Sequence, residues 1–538
     1  MKPYLLVPLA PRLSPLPIAR WRSTECPAGS SSGSVGCTQR AGNGWHARRV
    51  TWVAALVLLV AGCTSAPARL DQPALRDSVP LAGLELPTRD GWPQSQWWRV
   101  YHDDQLDALM ARAMAQAPDL AVAQARVRSA EQSARMAAAQ AGLSIAGQAQ
   151  VARQRITDHG LIPSQFLGFS WYNQADLGTQ LQYDFDWWGK KRASIESALD
   201  QAHAAMAQRS AAALSIQYAV ANTYFAWQAD TARVQLAQQA VAAQQQLAHI
   251  AQLRVAQGID PPDSAPTARA QVAAAREMLV ALEGSAQIRR AALASLLGIA
   301  PSDLPPLQPQ PLPAVEAGLP ADAGLDLLAR RPDIAANLWQ VQAALRQTDV
   351  ARAQFYPDLS ISAMAGLSSI ELDKLLTSGS RVFAVTPALH LPIFSGGRLQ
   401  ANYGIARAQL DSAVAQYNAT VATAAREVAT QALGAQQTAA RARQQEVQLQ
   451  ASVQLLANAQ ARQRQGVRDA REALGAQAQL LQQRDTAVQL QAQAVATDLN
   501  LIKALGGGYQ LPASAPAASP LADAAAPSST GSTAHEQH

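Results

Sequence analysis

The sequence predicts an α+β membrane protein: a trimeric, 12-stranded transmembrane β-barrel with four strands per chain, continued by a long α-helical coiled-coil barrel. Three observations predict it. Four segments of about ten residues alternate between apolar and polar side chains, the length of a tilted membrane strand. Two far longer segments carry apolar residues in heptads. Landmarks of the first half of the chain recur in the second at a nearly constant offset, which points to an internal duplication.

The strands carry the sharpest pattern. From 175 to 187 the odd positions read Ala, Leu, Thr, Leu, Tyr, Phe, Trp, and the even positions are Asp, Gly and Gln. A period of two puts one set on each face of a sheet. Ile145 to Val151, Leu359 to Leu367 and Phe383 to Ile393 alternate in the same way. Trp187-Trp188, at the expected end of the second strand, suits an interfacial aromatic girdle. Four strands cannot close a barrel, and lipid tolerates no open sheet edge. Chains must therefore pool them, and three copies reach twelve, an allowed even number.

The helices follow. One is expected near 104–141 and its counterpart near 322–355. Leu410, Val414, Tyr417, Val421, Ala424 and Val428 step by four and three, as do Leu236, Ala240, Ala243, Leu247 and Ile250. Leu474, Leu481, Val488, Val495 and Ile502 step by sevens. This is coiled-coil spacing. From Gly189 to Arg254 a continuous helix would run about 100 Å, which suits a tube crossing a periplasm rather than a globular core. Alanine lets such helices approach closely, and glutamine wets a lumen without imposing charge.

The recurring landmarks are Ala117-Pro-Asp and Arg331-Pro-Asp, Gly189 and Gly396, Arg254-Val-Ala-Gln-Gly258 and Arg462-Gln-Arg-Gln-Gly466, and Leu297-Gly298 and Leu505-Gly506. They divide the chain into a leader (1–62), an N-terminal linker (63–103), a first repeat half (104–298), a Pro-rich connector (299–321), a second half (322–508) and a tail (509–538) of disordered composition.

Composition narrows the classes further. Of 538 residues, 49% are hydrophobic and only 15% are charged, which excludes a highly charged disordered chain. No apolar run beyond residue 62 approaches about 18 residues, so a polytopic helical membrane protein is excluded too. The formal charge of +5 resides in the leader: residues 1–62 hold seven basic residues and one acid, leaving 37 basic against 38 acidic residues. Nothing in that balance suggests a nucleic-acid partner.

Within the leader, Arg48-Arg49 precede a 12-residue apolar run, Val50 to Ala61, and then Gly62-Cys63. A basic stretch, a short apolar run and small residues before a cysteine mark a secretory signal ending in a lipobox. Cys63 is the expected lipidated first mature residue, and Thr64, in place of an aspartate, points to the outer membrane. Cys26 and Cys37 would leave with the leader, so the exported chain keeps no disulfide. Residues 1–34 look unlike a targeting signal, and the expected translation start lies near Val35.

Together these features resemble the outer-membrane efflux factors, the TolC-like family, most closely its NodT-type lipoprotein subgroup. The resemblance covers about residues 92–508. It is carried by Trp97-Trp98 with Asp104-Gln-Leu-Asp-Ala-Leu, Ala117-Pro-Asp-Leu, Asp184-Phe-Asp-Trp-Trp-Gly-Lys190, Arg331-Pro-Asp-Ile, Leu391-Pro-Ile-Phe-Ser-Gly-Gly-Arg398 and the paired Arg-x-x-x-Gly turns. It implies a homotrimer in the outer membrane of a Gram-negative bacterium, extending into the periplasm and anchored to outer-membrane lipid through Cys63. It also implies a periplasmic adaptor (membrane fusion) protein and an inner-membrane pump of RND or major-facilitator type. By the same resemblance Arg254, Gly258, Arg462 and Gly466 lie at the periplasmic tips where the adaptor docks. The constriction positions of some relatives fall on Arg471 and Gly475, with Asp469 the nearest acid, so Asp469 and Arg471 are the gate candidates. Val255 and Gln463 replace the aromatic residue that usually follows each tip arginine.

Catalytic chemistry is not expected. Gly506-Gly507-Gly508 lacks the Lys-Ser/Thr of a phosphate loop, and His535-Glu-Gln-His538 is not a His-Glu-x-x-His zinc motif. No cofactor, metal or catalytic residue is called. The expected function is the passive outer-membrane channel of a tripartite efflux system for small molecules. The alternatives are a type I protein-secretion duct and a periplasmic coiled-coil lipoprotein without a pore.

Overall fold

The computed structural model describes residues 74–76, 78, 91–157, 159, 163–315, 318–320 and 323–510. The leader, Cys63 and His535 to His538 lie outside the described residues.

After a helical turn at Trp97–Tyr101, the first half opens with two helices, α1 (Asp104–Gln116) and α2 (Pro118–Ala141). The carboxylate of Asp103 caps α1, accepting from the amides of Gln105 and Leu106 at 2.9 and 3.1 Å. The single helix expected over 104–141 is broken at Ala117, because Pro118 cannot donate an amide and drives the preceding residue to extended geometry, ψ 125°. Two strands follow, β1 (Ser144–Arg155) and β2 (Trp171–Asp184), then the 67-residue helix α3 (Lys190–Ala256) and its return, α4 (Ser264–Leu296).

The same order then recurs. It consists of α5 (Ala323–Arg330), α6 (Pro332–Ala353), β3 (Asp358–Ser369), β4 (Arg381–His390), the 67-residue α7 (Arg398–Arg464) and α8 (Ala470–Ala504). The helix expected over 322–355 breaks before Pro332, as its counterpart does before Pro118.

The second strand was expected to reach Trp187 but ends at Asp184. The carboxylate of Asp186 turns back to accept from the amides of Lys191 and Arg192 at 2.9 and 2.8 Å, so it caps α3 instead of continuing the ladder. The fourth strand ends at His390 rather than Ile393, because Pro392 has no amide to offer.

The four strands form one antiparallel sheet in the order β1-β2-β3-β4. Its register aligns the alternation across every strand. Ala149 pairs with Leu177, Leu177 with Leu367, and Leu367 with the first residue of β4, Arg381. Gln148, Gln150, Asp176, Gln180, Gln182, Ser360, Ser362, Ser368 and Thr386 share the opposite face. Phe383, Val385 and Leu389 are 68–74% exposed on the apolar side.

Two apolar cores lie where the short helices pack on the long ones. The first gathers Trp97, Trp98, Leu106, Met110, Val220, Tyr224, Leu293, Leu297 and Leu499. The second gathers Leu327, Ile334, Leu338 and the whole Leu410-to-Val428 heptad with Leu501 and Leu505. Each fully buried Leu or Val contributes about 1.5–3 kcal/mol relative to exposure. α8 feeds both cores, Val495 and Ile502 to one and Leu501 to the other. Farther down, the seam opens: Leu236, Leu247, Ile250, Leu474 and Val488 are only half-buried. There α3 and α8 still run side by side, tied by Arg233 and Asp485 at 2.7 Å, but the seam residues keep part of their surface open.

Arg331 staples the second core. Its buried guanidinium grips Asp333 at 3.0 and 2.7 Å, Glu427 at 2.9 Å and the carbonyl of Ala504 at 2.9 Å. Burial alone would lower its pKa, but the hydrogen bonds and charges of Asp333 and Glu427 outweigh that and raise it.

Candidate functional site

Two regions carry chemistry that packing does not explain: the two-faced sheet and the tips of the two long hairpins.

At the first tip α3 ends on Gly258, with φ +71°, where the amide of Ile259 donates to the carbonyl of Arg254 at 2.8 Å. At the second, Gly466 has φ +73°, and Val467 donates to the carbonyl of Arg462 at 3.0 Å. Both are Schellman caps, and the left-handed backbone is what demands glycine. The space beside both is empty, so a side chain there would meet strain and no clash.

The arginine heading each turn is engaged inside its own hairpin. Arg254 makes a two-pronged pair with Asp260, 2.8 and 2.9 Å. Arg462 pairs with Glu472, which Arg468 also approaches at 3.5 Å. The gate candidates lie beside them. Asp469 caps α8 through the amide of Arg471 at 3.0 Å and pairs with its guanidinium at 2.8 Å. Arg471 also reaches Asp260 of the other hairpin at 3.4 Å.

The electrostatics follow. The hydrogen bond from Arg254 holds the Asp260 carboxyl below the usual carboxylate range, and that from Arg471 does the same for Asp469. Sequence reasoning did not single out Asp260 and Glu472, because neither falls in a periodic pattern. The available signal was an acid shortly after each tip arginine, six residues on for Asp260 and ten for Glu472. Each arginine stands at a hairpin end and is engaged by a carboxylate of its own hairpin.

At the helix end of the sheet, Tyr183, Phe185 and Trp187 form an aromatic column with ring spacings of 5.0 and 6.2 Å. Trp188 turns away, stacks on Tyr356 at 4.5 Å and donates from Nε1 to the carbonyl of Pro357 at 2.8 Å. Lys190 pairs with Asp358 and Lys191 with Asp184, at 3.3 and 3.4 Å, beneath the last rungs of the polar face. Asp176, near the opposite end of that face, accepts from Ser368 at 2.6 Å. Among the described residues no cluster of three or more metal-type ligands comes together, and no helix is long and apolar enough to cross a membrane.

Residues 109–299 and 325–507 match the family described as outer membrane efflux protein. The chain belongs to that family. This outer membrane efflux protein is 34% identical over 467 residues to the multidrug resistance outer membrane protein MdtP of Escherichia coli strain K12, covering 84% of this chain and 94% of that one. It is 33% identical to MdtQ of Escherichia coli O157:H7, covering 85% and 97%. Among solved structures it resembles the outer membrane protein VceC of Vibrio cholerae, with a TM-score of 0.70 and 33% identity over 78% of this chain and all of VceC. As a member of the outer membrane efflux family, the protein is an efflux channel of the Gram-negative outer membrane.

Proposed function

We propose that three copies of this chain close the four-stranded sheet into a twelve-stranded barrel in the outer membrane. In this reading the long hairpins bundle below it into one periplasmic duct for small molecules. The observation that carries this is the sheet itself: one face apolar and exposed, one polar, and both edge strands, β1 and β4, unpaired within the chain. A lipid-facing sheet edge leaves polar backbone groups that each cost several kcal/mol, so edges must join. The half-buried heptads toward the tips offer the matching seams for neighbouring helices.

Conduction needs no covalent chemistry. The polar face wets the passage, and energy comes from an inner-membrane pump of RND or major-facilitator type through an adaptor docked on the tips formed by Arg254, Gly258, Arg462 and Gly466. Asp260, Asp469 and Arg471 hold the two hairpins of a chain together at the inner end and so oppose opening. Trp187 and its aromatic column mark the inner membrane interface, and Cys63 anchors the chain to lipid. The recurrence of element order, with two helices of equal length, supports descent from an internal duplication. Single-channel recording of the purified full chain in planar bilayers tests the duct. Stable unitary conductance from a crosslinkable trimer is expected; a monomer that conducts, or a trimer that does not, overturns the proposal.

A further inference from the structure

The apolar face of the sheet carries three charged side chains, all cationic and all toward the hairpin-loop end. Arg153 and Arg155 are near the end of β1, and Arg381 begins β4. No acid shares that face within the strands, and at the helix end its residues are Ile145, Tyr183, Leu359 and Leu389. Arg155 pairs across the ladder with Trp171, and the guanidinium of Arg153 lies over the Trp171 ring at 5.6 Å. The three arginines are exposed.

An arginine costs little at the margin of a lipid-facing belt, and an anionic headgroup layer there attracts it. Cations confined to one margin match an anionic layer on that side. We propose that Arg153, Arg155 and Arg381 bind the phosphate groups of a phosphorylated glycolipid in the outer leaflet. Guanidinium forks match phosphate oxygens in pairs, and Trp171 provides an amphipathic floor at headgroup depth. β1 and β4 are the two free edges, so ring closure brings the Arg381 edge of one copy against the Arg153 edge of the next. Each site is then built across a subunit boundary and reinforces it. This rests on the proposed barrel with its hairpin loops outward.

The test uses the full-length trimer in non-ionic detergent, titrated with deep-rough lipopolysaccharide, with the same glycolipid stripped of phosphate, and with phosphatidylglycerol. The readout is the midpoint of thermal trimer dissociation. Wild type is expected to be stabilised by the phosphorylated glycolipid alone. In Arg153→Gln/Arg155→Gln/Arg381→Gln the half-saturating concentration is expected to rise roughly a hundredfold, about fivefold per cation removed. Conductance in neutral phospholipid bilayers should stay unchanged. Undiminished stabilisation of the variant, or equal stabilisation by the phosphate-free glycolipid, overturns the site, and an equal response to phosphatidylglycerol overturns the glycolipid assignment. Should the variant not assemble, the phosphate-free comparison on wild type decides. Absence of conductance in wild type would sink the barrel reading independently of the lipid titration.

Discussion

Arg471, in the first turn of α8, reaches the carboxylate of Asp260 across the gap between the two hairpins at 3.4 Å, and so joins the tips of one chain. Asp260 is held on its other side by Arg254, so a single carboxylate serves both hairpins. At the place equivalent to Asp260, 208 residues on, stands Arg468. The two tips thus carry opposite charges at this position despite their matching caps.

Removing that link should loosen the inner end of the duct. Exposed ion pairs are individually weak, so Asp260→Asn or Arg471→Ala should raise basal conductance only roughly two- to fivefold. Unchanged single-channel open probability in both single variants would exclude the link from gating.

The pH dependence has a definite sign. Asp260 and Asp469 have carboxyls depressed by arginine, so the link is present above the ordinary carboxylate range and fades only as pH falls through the lowered values. Conductance should be flat between about pH 5 and 8 and rise below about pH 4. A transition near neutrality would assign gating to another group.

For docking, Arg254→Ala/Arg462→Ala should abolish drug resistance while trimer levels in the outer membrane stay normal, because each hairpin end loses its internal carboxylate pair. Gly258→Val should act similarly, forcing a β-branched residue into the left-handed region at about 1–2 kcal/mol without unfolding the cores far above. Minimum inhibitory concentrations and adaptor crosslinking measure both. Full resistance with intact crosslinking would refute the docking role.

Arg331→Met should lower stability by about 3 kcal/mol, the lower end for breaking a buried ion pair, since Asp333 and Glu427 are partly exposed and can resolvate. Thermal dissociation of the purified trimer would report it. A loss below 1 kcal/mol would make the staple dispensable.

Cys63→Ala should eliminate acyl labelling of the mature chain, with metabolic incorporation of labelled fatty acid as the measurement. Continued labelling at wild-type level would place the anchor elsewhere.

The strands and the upper heptad were legible because period two and period 3.5 are direct consequences of which faces are buried. Val414 and Val428 are buried, and Leu177 and Leu367 share a face, as their spacing requires. What escaped were the side chains that answer backbone needs. Asp186 leaves its alternating place because the open N-terminus of α3 takes its carboxylate, and Pro118 and Pro332 split helices that the apolar pattern alone would continue. Asp260 was hidden for a related reason. An acid in a polar turn has no period, and its partners Arg254 and Arg471 are 217 residues apart in sequence.

The unpaired edges of β1 and β4 also bear on inheritance. In the proposed assembly no chain owns a complete barrel; every wall is jointly held, and each seam needs a competent β1 from one copy and a competent β4 from another. A strand-damaged allele expressed beside a sound one would be incorporated rather than left out, and would disable most of the pores it entered. Sheet-edge lesions in this gene should therefore behave as dominant-negative, whereas alleles that prevent export should be recessive.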